Sequence, residues 1–153
     1  MDINALSNEL ENDPAGVGYQ AFLDSGNINE VLALLQSEDP EGATTLEPIR
    51  AVDLLRISAA LNILTPIEED ADTAGSPTRD KSKAALRFIT PSDRKIRPED
   101  LMPIAESLIS NGVIQETDKA VIENEMRRPL RREEVVLGPN TRVRKTHIHQ
   151  ATT

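Results

Sequence analysis

Three short stretches carry residue types that could do chemistry. Gly16-Val17-Gly18 stands just before Tyr19, the only tyrosine. A dinucleotide-type phosphate loop needs a strand before it, a third glycine and an acid about 20 residues on. Here a helix-like stretch precedes, position 21 is Ala, and no strand pattern is visible. Glycine's access to positive φ accounts for the pair as a bend that aims Tyr19. Asp70-Ala71-Asp72-Thr73-Ala74-Gly75 has the opening of a calcium loop, but Ala74 stands at a ligand position and Lys81 where the closing Glu belongs. His147 and His149 are the only histidines. At i, i+2 they would share one face of a strand, yet no third ligand is marked, and Arg144 and Lys145 would repel a cation. With no Cys and no G-x-S-x-G, a nucleophile has no setting either. The expectation is no enzyme, no cofactor and no metal.

The elements that would position these residues come from an aliphatic chain. Leu, Ile, Val and Phe number 39 of 153 residues, with no Trp, one Tyr and two Phe. That is above the roughly one-fifth level of disordered chains, but almost without aromatic burial. No apolar run reaches the ~18 residues of a membrane span, and no secretory leader is visible at the start.

Ile3, Leu6 and Leu10 mark an amphipathic helix capped by Asp2 and stopped before Asp13-Pro14. A short turn then carries Tyr19, Phe22 and Leu23. Asn27 caps the next helix, which buries Ile28, Val31, Leu32 and Leu35. Residues 36–47 read as a loop. Pro48 opens a helix with a Leu54, Ile57, Leu61, Leu64 stripe, ended by Thr65-Pro66. Residues 66–77 read as an acidic surface loop, and Ser76-Pro77 opens a helix to about Thr90. Leu101, Ile104, Ala105, Leu108 and Ile109 mark the next helix, with regular structure beginning near Pro103. Asn111-Gly112 caps it, with Val113 as the contact beyond. A second helix over 116–126 closes an antiparallel hairpin. After Arg128-Pro129 the helical period is lost.

Charge is unevenly placed. Residues 127–153 hold seven Arg/Lys and two acids, a net +5, which leaves −14 for residues 1–126 out of the total of −9. A basic tail on an acidic body reads as an interaction arm. It has no aromatic residue for base stacking, and the acidic body would repel DNA, so a protein partner is favoured over nucleic acid. Arg127, Arg128, Arg131, Arg132, Arg142, Arg144 and Lys145 are its candidate ion-pairing residues. Exposed pairs contribute only ~0–1 kcal/mol each, so Val135, Val136, Leu137 and Val143 are its candidate apolar anchors; Tyr19, aimed by the glycine bend, is expected to pack against the helical body or a neighbouring subunit.

Glu9-Leu10 followed by Asp13-Pro14-x-Gly16-x-Gly18-Tyr19 resembles the opening of a family of small helical proteins from tailed bacteriophages. In order along the chain, Asp53-Leu54-Leu55 with Ala59-Ala60-Leu61, Ala84-Ala85-Leu86, and Leu108-Ile109-x-x-Gly112-Val113-Ile114 with Asp118 are similar to its later helices. Arg131-Arg132-Glu133-Glu134 through Leu137-Gly138 is similar to its closing segment. The resemblance spans about residues 9–138; Leu130 and Arg132 depart from it, at positions where the family has Ser and Ala. It implies a virion or assembly role; the expected function is a virion structural protein of the tail or head–tail region, found in the particle and, during assembly, in the host cytoplasm. Its partners would be other virion proteins and copies of itself, with no membrane. The alternative is a non-virion phage accessory protein that binds a host or phage protein, or nucleic acid. The expected fold is all-α: five or six short helices, including the C-terminal hairpin, in an acidic body over 1–126, then an extended, non-helical arm over 127–153.

Overall fold

A computed structural model describes all residues, Met1–Thr153. The fold is mostly helical, with ten helices rather than five or six. In chain order they are α1 (Ile3–Asn12), α2 (Gln20–Asp24), α3 (Ile28–Gln36), α4 (Ala51–Ala60), α5 (Leu64–Asp72), α6 (Arg79–Ile89), α7 (Pro98–Ser110), α8 (Glu116–Met126), α9 (Arg132–Leu137) and α10 (Lys145–Ala151). Four short strands, β1 (Thr44–Leu46), β2 (Ile49–Arg50), β3 (Lys95–Ile96) and β4 (Arg127–Pro129), form two pairs, β1 with β4 and β2 with β3. No helix is long and apolar enough to cross a membrane.

The chain divides into two compact units, and not at residue 126. One joins 1–45 to 128–153; the other is the continuous stretch 46–127. Each has its own core. In the continuous unit α6 packs against α4, α5 and α7, and α7 against α8. Leu54, Ile67, Ala85, Leu108 and Met126 are among its buried residues. β2 and β3 pair antiparallel, Ile49 opposite Ile96. Asn111-Gly112 ends α7 as expected: Gly112 has φ +71, and Val113 N–H returns to Leu108 O at 2.9 Å. Gln115 N–H donates to Asp118 Oδ2 at 2.9 Å, so α8 starts at once.

Three expectations for this unit fail on proline. Pro48 precedes a strand, not a helix. Pro66 lies in the first turn of α5, where its missing N–H costs nothing, so the acidic stretch after it is helical through Asp72. α7 begins at Pro98, its first residue, and runs through Pro103.

The discontinuous unit packs α1 against α9 and α10, and α3 against α2, α9 and α10. Leu6, Leu10, Tyr19, Val31, Leu35, Val143, Ile148 and Ala151 form its core. Residues 127–153 are therefore not an extended arm. They hold one strand and two helices, and Val143 and Ile148 are 2% and 0% exposed. The reason is apolar: Val143, Ile148 and Ala151 complete a face that α1 and α3 alone leave open.

Candidate functional site

The densest gathering of chemistry-bearing side chains lies in the discontinuous unit. α1 carries Glu9 between Leu6 and Leu10 at i, i+3, i+4, so the carboxylate faces inward with them; it is 2% exposed. At the end of α1, Asp13 takes a left-handed conformation, φ +43. Its carboxylate accepts from Val17 N–H at 2.6 Å and Gly18 N–H at 2.7 Å. Gly16 and Gly18, at φ +66 and +98, supply the backbone turn that lets it do so. The Gly-Val-Gly stretch is thus a bend closed on Asp13. It delivers Tyr19 fully buried, its hydroxyl donating to Glu9 Oε1 at 2.9 Å.

Arg132, at the start of α9, meets the same carboxylate. Nε donates to Glu9 Oε1 at 2.7 Å and Nη2 to Glu9 Oε2 at 2.9 Å, a bidentate pair. Nη1 donates to Asp39 Oδ1 at 2.9 Å, and Asp39 Oδ2 accepts from Ala43 N–H at 3.1 Å. The backbone fixes this register: Asp39 N–H donates to Leu130 O, Leu130 N–H to Ala43 O, and Arg132 N–H to Ser37 O.

Beside it, Glu134 binds Arg128 through two hydrogen bonds of 2.8 and 2.9 Å, and accepts from Arg131 N–H and Asn140 N–H. Glu133, fully buried, accepts from Val143 N–H at 2.8 Å. Its other oxygen lies 2.9 Å from Arg131 Nε, close enough to pair but misaligned for a hydrogen bond. Four carboxylates thus face three guanidiniums, and backbone N–H groups supply the remaining donors.

Four groups of the cluster have displaced protonation equilibria. Burial pushes the Tyr19 hydroxyl far above its ordinary value, and the hydrogen bond to Glu9 adds to this. The hydrogen bond to Glu9 holds the Arg132 guanidinium charged, against burial. Burial works to raise Asp39, but hydrogen bonds from Arg132 and Ala43 N–H outweigh it and bring its carboxyl down. Hydrogen bonding to Arg128 pushes Glu134 down to about 2. The arrangement holds chain segments together.

A smaller cluster stands in the continuous unit. Asp70 accepts from the Ser76, Thr78 and Ser82 hydroxyls at 2.5, 2.8 and 2.5 Å, and Asn111 donates to Thr78 Oγ1 at 2.8 Å. The hydroxyl of Ser76, then that of Ser82, hold the Asp70 carboxyl below its usual range. Asp70 therefore ties α5 to α6, while Asp72 is exposed. No three His, Asp or Glu side chains are placed to hold a metal ion. His147 Nδ1 accepts from Arg144 N–H at 3.1 Å, at the start of α10.

The residues expected to bind a partner separate into two groups. Tyr19, Arg132 and Val143 are buried in the discontinuous unit. Arg128 and Arg131 are engaged with Glu134 and Glu133, and Leu137 packs on the core. Val136 is half-buried, whereas Arg127, Val135, Arg142, Arg144 and Lys145 are exposed. In the sequence, Glu9, Glu133 and Glu134 are marked only by the family resemblance, and Asp39 not at all; that all four are buried was not foreseen. Only Glu9 carried a signal: a lone acid on the apolar face of α1. Compared with protein-family models, with curated proteins and with solved structures, the chain matches none.

Proposed function

We propose that this chain is a structural protein of a tailed-bacteriophage particle, in the tail or head–tail region, that works by protein–protein packing and not by catalysis. One observation carries the reading. The residues of the opening and closing stretches that resemble the phage family (Glu9, Asp13, Gly16, Gly18 and Tyr19, with Glu133 and Glu134) are those of the buried brace and the turn that feeds it. Arg132, where the family has Ala, joins the two stretches. A motif whose polar atoms are spent on internal hydrogen bonds serves shape, which suits a component that works by packing. Its partners are other virion proteins and copies of itself; a net charge of −9 argues against a nucleic-acid role.

Quantitative mass spectrometry of purified particles tests this. The chain should appear at a fixed copy number relative to the major structural proteins and survive a high-salt wash. Its absence from particles, with abundance in infected-cell extract, would favour an accessory protein instead.

A further inference from the structure

Within the discontinuous unit, the two signs of charge fall on different stretches of the chain. Residues 1–45 contain nine acids and no Lys or Arg; residues 135–153 contain Arg142, Arg144 and Lys145 and no acid. These three cations are exposed, and none has a carboxylate partner. Arg144 and Lys145 stand at the start of α10. Thr152, just past its other end, lines a surface groove of about 390 Å³. Leu10, Leu23 and Ile28 give the groove apolar walls, and Glu11 and Asp24 are its exposed acids. Those acids have only neutral neighbours, the Ser7 hydroxyl at 3.3 Å and the Gln20 amide at 2.6 Å. Seven residues at ~1.5 Å rise set the basic and acidic ends about 10 Å apart.

We propose that the groove is the seat of a second copy of this chain, in a two-fold dimer with the two α10 helices antiparallel. A two-fold contact is self-complementary: what one copy offers at one place it receives at another. Antiparallel α10 helices place Arg144 and Lys145 of each copy over Glu11 and Asp24 of the other. The aliphatic stems of the two cations cover Leu23 and Ile28 while their charged ends reach the acids. A second copy is favoured over another basic protein because both halves of the match lie in one unit, at opposite ends of one helix. The inference rests on this charge placement alone and holds whether or not the chain resides in a particle.

Sedimentation velocity of the full chain tests it, with circular dichroism confirming that each variant is folded. The wild type should sediment as a dimer at low salt and dissociate toward about 1 M salt, where screening reaches ~3 Å. The pair Arg144→Glu with Lys145→Glu, and separately Glu11→Lys with Asp24→Lys, should each raise the dimer dissociation constant by roughly tenfold or more. Mixed in equal amounts, the two variants should recover the dimer. Glu68→Lys with Glu69→Lys, on α5, changes net charge by the same amount and should leave the dimer intact. A monomeric wild type at low salt, a dimer indifferent to either charge reversal, or a mixture that stays monomeric overturns the proposal.

Discussion

Arg132 holds three segments at once through Glu9, Asp39 and the backbone at Ser37. Removing one partner of a buried ion pair costs about 3–5 kcal/mol, because the other charge is left buried and alone. Arg132→Met should therefore lower the urea unfolding free energy of the discontinuous unit by that amount. Arg142→Met, at an exposed position with no partner, should change it by under ~0.5 kcal/mol. Glu134 adds a pH signature. Its folded value, about 2, lies below the ordinary 4.5, so the folded state binds fewer protons between them. Its contribution is present above the ordinary value and is lost as pH falls toward 2, on the order of 3 kcal/mol. In Glu134→Gln, equilibrium unfolding should show a flatter acid limb over that window; an unchanged slope would remove Glu134 from the brace.

At the scale of elements, Ile148 is the central apolar residue of α10, fully buried against α1 and α3. Ile148→Ala should cost about 2–5 kcal/mol in urea melts, as for a core position; a loose tail would register nothing. The elements that were legible in the sequence are those whose signals are local. Asp2 caps α1, accepting from Ala5 N–H at 3.0 Å, and Asn27 caps α3. Asn111-Gly112 and Asp118 mark the turn between α7 and α8. The elements that were not legible are short or depend on distant partners. α9 has six residues and α10 seven, with only Ile148 and Ala151 facing inward, too few to display a period. The burial of Glu9 and Asp39 depends on Arg132, 123 and 93 residues away along the chain. Thr65-Pro66 was ambiguous in principle, since proline both ends a helix and fits its first turn.

For the whole molecule, the division at 45/46 and 127/128 makes residues 46–127 a continuous domain with its own core. Its ends are pinned to each other, Glu47 N–H donating to Met126 O at 2.8 Å, a feature of domains that tolerate insertion into other chains. A fragment spanning 46–127 should fold alone, with a helical spectrum and a cooperative melt; a featureless spectrum would tie its stability to the rest of the chain. The discontinuous unit has no such independence, because its core needs residues from both ends. That dependence is the central claim, and hydrogen–deuterium exchange of the isolated full chain in high salt tests it most directly. Salt near 1 M screens the ion pairs by which a second copy would hold the C-terminal segment. The amides of Arg132, Val143 and Thr152, which donate to Ser37 O, Glu133 Oε2 and Ile148 O, should be protected as strongly as those of α1. Exchange of the three at the rate of an unstructured peptide would contradict the account.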